Sequence, residues 1–143
     1  MTLEITSAET ESEISATYLV VKQLRPHLDQ ETYVQMVQSL IRTEGLKLIV
    51  VVERETVLAV ASYRIMNMLY CGKILYVDDL VVDVQARSKG IGSMLLASLR
   101  QEGRSLGCSE VQLISRVTRE QAHRFYYREG FGIECFHFRS RIP

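Results

Sequence analysis

The residues best suited to chemistry form a short basic segment in the middle of the 143-residue chain. This segment reads Arg87-Ser88-Lys89-Gly90-Ile91-Gly92, and it lies between an apolar run and a stretch with apolar residues at helical spacing. Glycines at a helix start let backbone N–H groups approach an anion, and the peptide dipoles add roughly half a positive charge there. The segment is therefore predicted to bind phosphate. The alternative is a tight strand-to-helix connection whose charges are merely solvated.

Two adjacent carboxylates precede this segment. Asp78 and Asp79 lie in the apolar run 74–82, which reads as a strand, and strand alternation predicts that they point to opposite faces. A half-buried carboxylate is costly without a partner, so both are candidates for a site. A purely structural role remains equally open.

Composition narrows the class of protein. Lysine plus arginine total 17 and aspartate plus glutamate total 17, so neither nucleic acid nor an anionic membrane is expected as a partner. Cys71, Cys108 and Cys135 lack any CxxC or Cys/His spacing, which argues against disulfides and a metal site. The N-terminus lacks signal-peptide features, and no apolar stretch is long enough to span a bilayer. We expect one soluble, cytoplasmic domain over residues 1–143.

The periodicity predicts a mixed α/β fold. Two helices follow a short first strand; the first ends before Pro26, and the second lies between Asp29 and Gly45. Antiparallel strands follow, then a helix from the glycine segment to about residue 106, and a further strand that makes a right-handed crossover. The predicted strands are 3–6, 46–53, 56–65, 74–82, 111–115 and 133–138, with a last helix over 119–129.

Two blocks of sequence resemble a known family. Residues 76–82, Tyr-Val-Asp-Asp-Leu-Val-Val, together with the glycine segment look like the acetyl-CoA-binding motif of the GNAT superfamily of N-acetyltransferases. Residues 122–131, Ala-His-Arg-Phe-Tyr-Tyr-Arg-Glu-Gly-Phe, are similar to the family's A-x-x-F-Y-x-x-x-G-F block. The blocks stand in the family's order, and the element order matches over nearly the whole chain. The resemblance implies a mostly antiparallel sheet with a parallel βαβ crossover and a splayed cofactor cleft.

The resemblance also implies acetyl-CoA as cosubstrate. The pyrophosphate of coenzyme A is expected on the amides of the glycine segment, and the pantetheine arm on the backbone of the preceding strand. Arg119 stands where the family often has an asparagine that contacts this arm. The implied cofactor-binding residues are Leu80, Val81, Val82, Arg87, Ser88, Lys89, Gly90, Ile91, Gly92, Ser93 and Arg119.

Three residues are assigned to catalysis through the resemblance. Tyr126 corresponds to a family tyrosine that protonates the leaving thiolate. The alternative is a structural role, in which its ring only packs in the core. Asp78 aligns with a glutamate of some members and is the first choice of base, directly or through water, with Asp79 beside it. Other members have a catalytic glutamate where this chain has Tyr76.

The predicted function is direct transfer of acetyl to a primary amine of a small molecule or peptide. The alternatives are a CoA-binding sensor or subunit without transfer activity, and a small nucleotide-binding module. The acceptor cannot be read from these residues. The apolar run 133–138 offers a contact for a homodimer.

Overall fold

The computed structural model describes residues 2–143. These residues form two compact units, the first ending at Gln112 and the second extending from Leu113 to Pro143. No helix in the described part of the chain is long and apolar enough to cross a membrane.

The sheet has five strands in the order β1-β2-β3-β4-β5. Neighbours from β1 to β4 are antiparallel, and β5 is parallel to β4, as the βαβ crossover requires. The predicted mixed architecture is therefore confirmed. The strands are β1 (Glu4–Ser7), β2 (Lys47–Glu53), β3 (Thr56–Met68), β4 (Gly72–Val82) and β5 (Glu110–Leu113).

Helices cover both faces of this sheet in the first unit. They are α1 (Glu11–Ala16), α2 (Tyr18–Leu24), α3 (Gln30–Glu44) and α4 (Ile91–Ser105). Residues of α1, α2 and α3 share one buried cluster with alternate residues of the central strands, such as Val50 and Val60. On α4, Leu95 and Leu99 are fully buried, and Glu102 accepts a hydrogen bond from the Tyr63 hydroxyl of β3 at 3.2 Å.

Helix boundaries follow local chemistry. Asp29 caps α3 by accepting a hydrogen bond from the Thr32 amide at 2.8 Å, and Gly45 ends it with φ +67°, both as predicted. The single helix predicted over 14–24 is instead divided into α1 and α2 at Thr17. The Thr17 hydroxyl donates to the Ile14 carbonyl at 2.6 Å and lies 2.6 Å from the Tyr33 hydroxyl. Such side-chain bonds to a helix's own backbone compete with its regular pairing.

The second unit contains one helix, α5 (Glu120–Arg128). The strand predicted over 133–138 does not form: residues 131–143 belong to no helix or strand, and Ile133, Phe136 and Phe138 are exposed. The prediction was wrong because strand propensity becomes a strand only when the backbone groups pair with a neighbour. The homodimer contact suggested for this segment stays a prediction.

Candidate active site

The glycine segment occupies the connection between β4 and α4. A single turn of 3-10 helix, Val84–Ala86, follows β4, and Gly90 is the N-cap of α4 with φ +76°. Gly90 has no side chain that could cap this helix, and the first N–H groups of a helix have no partner within the helix itself. Ala86, just before the segment, and Ile91, within it, are buried, whereas Arg87 to Gly90 between them are exposed. The structure thus places the segment at a helix N-terminus, as the sequence predicted.

Backbone strain is present within the segment. Ser88 has φ +68°, a left-handed conformation that costs a residue with a Cβ about 1–2 kcal/mol. Strained backbone of this kind persists where the surrounding structure imposes it, and it is typical of ligand clamps. With Gly90 also left-handed, successive N–H groups can converge into a concavity for an anion. The Arg87 side chain turns back to β4, where its Nε donates to the Val82 carbonyl at 3.3 Å.

The end of β4 has one open edge. Leu80, Val81 and Val82 pair with β3 on one side. On the other side, the Ser109 amide donates to the Lys73 carbonyl at 2.9 Å, and the four residues of β5 follow. At about 3.3 Å per residue, four residues reach about 13 Å, whereas Leu80 lies about 23 Å beyond Lys73. The backbone of residues 80–82 is therefore free of β5, as a splayed cleft requires.

A β-bulge lies immediately before this open edge. Val77 is opposite Tyr63 and Asp79 is opposite Ser62, so Asp78 is an extra residue in β4. This extra residue changes the alternation, and both aspartates line the same cavity of about 230 Å³. The prediction that Asp78 and Asp79 point to opposite faces was wrong for this reason.

Each aspartate is paired with an arginine. Arg64 of β3 donates from Nε and Nη2 to the two carboxylate oxygens of Asp78, at 2.9 and 2.7 Å. Arg25, just beyond α2, donates from Nε to Asp79 Oδ1 at 2.8 Å, and the Ser62 hydroxyl donates to Asp79 Oδ2 at 2.5 Å. The hydrogen bonds to Asp78 raise the pKa of the Arg64 guanidinium. Each of the four carboxylate oxygens therefore already accepts a hydrogen bond.

The sequence prediction missed these partners. Arg64 is the only charged residue of β3, and a charge within a strand is the same signal that makes Asp78 a candidate. Arg25 is 54 residues from Asp79 along the chain, and no local pattern links them. A charged residue in an apolar strand is therefore the one sequence feature that could have found Arg64.

A second cavity, of about 360 Å³, adjoins Arg25 and Asp79. It lies between the helices α2 and α3 and the sheet, and its wall is largely apolar. Tyr33 and Ser62 are among its polar lining residues, and burial raises the pKa of Tyr33 to about 12. The apolar lining includes Val21, Leu28, Val37, Leu40, Leu46 and Leu48.

Tyr126 lies on α5 in the second unit. Its half-buried ring contacts Phe125 and Phe131 at centroid distances of 5.4 and 5.6 Å. Burial raises the pKa of its hydroxyl, and the Arg119 cation acts in the opposite direction. The hydroxyl forms no hydrogen bond with residues 2–143, so it can still donate one. The neighbouring Tyr127 is 55 % exposed.

Arg119 is the N-cap of α5, and its side chain is exposed. The structure thus brings the aspartates, the open edge of β4 and the glycine segment together in the first unit. Tyr126 and Arg119 belong to the second unit. No cluster of three or more His, Cys, Asp or Glu suited to a metal ion occurs among residues 2–143.

Comparison with known sequences settles the family. The profile of the Acetyltransferase (GNAT) family matches residues 9–131, a range that includes both sequence blocks and parts of both units. The chain belongs to the GNAT acetyltransferase family. It is 34% identical over 140 residues to "Uncharacterized N-acetyltransferase YhdJ" of Bacillus subtilis (strain 168), covering 97% of this chain and 96% of that protein.

Two further relatives extend the comparison. The aminoalkylphosphonate N-acetyltransferase of Salmonella typhimurium (strain LT2) is 38% identical over 66 residues, which is 46% of this chain and 43% of that protein. The solved structure of the aminoglycoside N-acetyltransferase AAC(6')-Iy in complex with CoA superposes with a TM-score of 0.84. That match covers 99% of this chain and 96% of the other at 15% identity, so it establishes the GNAT fold. Family membership makes this chain an acetyltransferase in the broad sense.

Proposed function

We propose that the protein transfers acetyl from acetyl-CoA directly to the primary amine of a small molecule or peptide. The observation that carries the proposal is the glycine segment, where Ser88 and Gly90 are left-handed at the uncapped start of α4. This arrangement suits a pyrophosphate, and it directly follows a strand end that is not paired with β5. A GNAT-fold enzyme solved with CoA supports this choice of ligand.

The cofactor assignment follows from this geometry. The pyrophosphate binds the amides of Arg87 through Ser93, with Lys89 adding a positive charge at the exposed tip. The pantetheine arm pairs with the open backbone of residues 80–82, in the manner of an added strand. Arg119 contacts the same arm from α5. These assignments make coenzyme A, as the acetyl thioester, the cosubstrate.

The chemistry is a single displacement. The amine nitrogen attacks the thioester carbonyl carbon, a C–N bond forms and the C–S bond breaks. An amide at the end of β4 stabilises the negative charge on the carbonyl oxygen, and Tyr126 donates its proton to the departing sulfur. The proton lost by the amine passes to Asp78, directly or through water, with Asp79 as the neighbouring alternative.

A small-molecule acceptor has support from one relative. The Salmonella typhimurium protein is described as acting on aminoalkylphosphonates, which are small amines, although its match covers less than half of either chain. The adjoining cavities of about 360 and 230 Å³ are of a size for small molecules.

One observation favours a second function, a CoA-binding sensor or subunit without transfer activity. Both candidate bases are already hydrogen-bonded: arginines engage Asp78 and Oδ1 of Asp79, and the Ser62 hydroxyl engages Oδ2 of Asp79. Tyr76 also replaces the glutamate used by other members. Such a protein would bind CoA through the same glycine segment and release no thiol.

An acetyl-CoA-dependent thiol-release screen separates the two functions. The acceptors span small monoamines, amino acids, polyamines, aminoglycosides and peptides, and calorimetry with CoA is run on the same preparation. Thiol release above hydrolysis with at least one class supports acetyl transfer. CoA binding without release across the panel supports the sensor, and absence of CoA binding contradicts both.

A further inference from the structure

Two adjacent cavities that share Arg25 and Asp79 differ in their chemistry. The larger cavity is walled mainly by apolar side chains of α2, α3, β2 and β3. The smaller is lined by Arg25, Leu40, Leu46, Arg64, Asp78 and Asp79. Arg25 and Asp79 line both cavities, so one molecule can occupy the two compartments across this pair.

The smaller cavity has more unused hydrogen-bond donors than acceptors. Arg64 donates from Nε and Nη2 to the carboxylate of Asp78. Arg25 donates from Nε to the carboxylate of Asp79, and its Nη2 contacts the same carboxylate and the backbone carbonyl of Asp78. The Nη1 groups of both arginines have no protein partner among residues 2–143, which leaves two N–H donors on each. By contrast, every carboxylate oxygen of the two aspartates already accepts a hydrogen bond.

Other charged groups near the two cavities do not reverse this excess of unused donors over acceptors. Glu44, at the end of α3, acts on Arg64 electrostatically, but it is exposed and lines neither cavity. His27 lines the larger cavity and brings no negative charge to it. A ligand with several ammonium groups would therefore find no unpaired carboxylate among the residues that line the two cavities. A ligand with an acceptor-rich anionic group would find free guanidinium edges.

We propose that the acceptor is a primary amine that also carries an anionic group and an apolar body. The apolar body fills the larger cavity, the anionic group binds the Nη1 edges of Arg25 and Arg64, and the amine lies between them beside Asp79. This assignment rests on the proposed acetyl transfer and narrows it to amino-acid-like acceptors. A carboxylate and a phosphonate satisfy the same donors, and the experiment separates them.

Matched acceptors test each part of the assignment in the parent protein. L-Phenylalanine carries all three features, phenethylamine lacks the anion, glycine lacks the apolar body, and spermidine replaces both by further ammonium groups. The phosphonate analogue of phenylalanine is the fifth acceptor. We expect kcat/KM for phenylalanine or its phosphonate analogue to exceed that for phenethylamine by about tenfold or more, since one charge-assisted hydrogen bond is worth about 1.5–3 kcal/mol. Glycine and spermidine should be the poorest substrates.

A variant links the preference to the arginine. Arg64→Gln should reduce the phenylalanine-to-phenethylamine ratio by about tenfold. Arg42→Gln is the matched control, because Arg42 is exposed on the last turn of α3 and lines neither cavity, and it should keep the parental ratio. The acceptor comparison in the parent protein remains decisive if Arg64→Gln fails to fold.

The outcomes distinguish this assignment from the function on which it rests. Preference for spermidine or phenethylamine over both phenylalanine and its phosphonate analogue, with clear thiol release, overturns the assignment and leaves acetyl transfer intact. An unchanged ratio in a folded Arg64→Gln protein overturns the role of Arg64. Absence of release with every amine overturns the proposed acetyl transfer, and the acceptor assignment falls with it.

Discussion

Substitution of Gly90 by valine tests the phosphate cradle. Gly90 has φ +76° at the N-cap of α4, and a Cβ added there would meet no atom within 4 Å. The cost of a side chain is therefore one of backbone conformation alone, about 1–2 kcal/mol for a left-handed residue with a Cβ. The loop can relieve that cost by rotating out of the left-handed region, which would turn the first amides of α4 away from the anion.

The same rotation of the loop should weaken the binding of CoA. Loss of one charge-assisted hydrogen bond to the pyrophosphate costs about 1.5–3 kcal/mol, which corresponds to a weakening of CoA binding by about 10- to 150-fold. Calorimetric titration with CoA measures the Kd, and thermal unfolding measures the stability of the same sample. We expect Gly90→Val to fold with a Tm lower by a few degrees.

Gly107→Val is the matched control at the other end of the same helix. Gly107 has φ +78° and also has no atom within 4 Å of an added Cβ, so the conformational cost is equivalent. The 15 residues of α4 separate the two glycines by about 22 Å. Gly107→Val should lose comparable stability and retain CoA affinity. A folded Gly90→Val protein that binds CoA as tightly as the Gly107→Val protein would refute the reasoning.

Three further predictions follow from individual side chains. Tyr126→Phe should lower kcat for thiol release by about 100-fold or more, with little change in the CoA Kd. Tyr127→Phe, at the exposed neighbouring position, should change neither quantity. Unchanged turnover of the Tyr126→Phe protein would remove Tyr126 from the mechanism. Because burial raises the pKa of Tyr126 above 10.0, its proton is retained as the pH rises, so kcat should not fall between pH 7 and 9; a fall there that Tyr126→Phe abolishes would contradict this. Asp79→Asn should lower the free energy of unfolding in urea by about 1 kcal/mol, since it weakens a partly exposed ion pair with Arg25. An unchanged midpoint of urea unfolding would show that the ion pair contributes nothing to stability.

A fourth prediction concerns the helix cap at Asp29. Its hydrogen bonds from Thr32 lower the pKa of the carboxyl below its ordinary 3.8. A depressed pKa gives stability that is present above 3.8 and is lost as the pH falls through the folded-state value. Asp29→Ala should therefore destabilise the protein at pH 7, and the difference from the parent should shrink below pH 3.8. A difference independent of pH in urea unfolding would contradict an ionised cap.

Local signals explain what could be predicted from the sequence. The cap at Asp29, the left-handed Gly45 and the helix start after Gly90 each depend on residues within one turn of the backbone, and the structure confirms them. The arrangement of β2 to β5 also follows, because two short hairpin connections and one helical crossover leave few alternatives.

Non-local pairing explains what could not be predicted. The bulge at Asp78 arises from the register with β3, and strict alternation along one strand cannot reveal it. The ion pair between Arg25 and Asp79 joins residues 54 positions apart. The apolar run 133–138 has strand composition, yet no residue of the described chain pairs with it in a sheet. Each difference concerns a partner that is distant along the chain.

Transfer of a labelled acetyl group tests the central claim most directly. The protein is incubated with deuterated acetyl-CoA and the amine panel, and mass spectrometry follows the amine while free thiol is counted in parallel. The proposed function predicts one labelled acetyl group on an amine nitrogen for each CoA thiol released. Thiol released without an acetylated amine, or CoA bound with no thiol released by any acceptor, would contradict it.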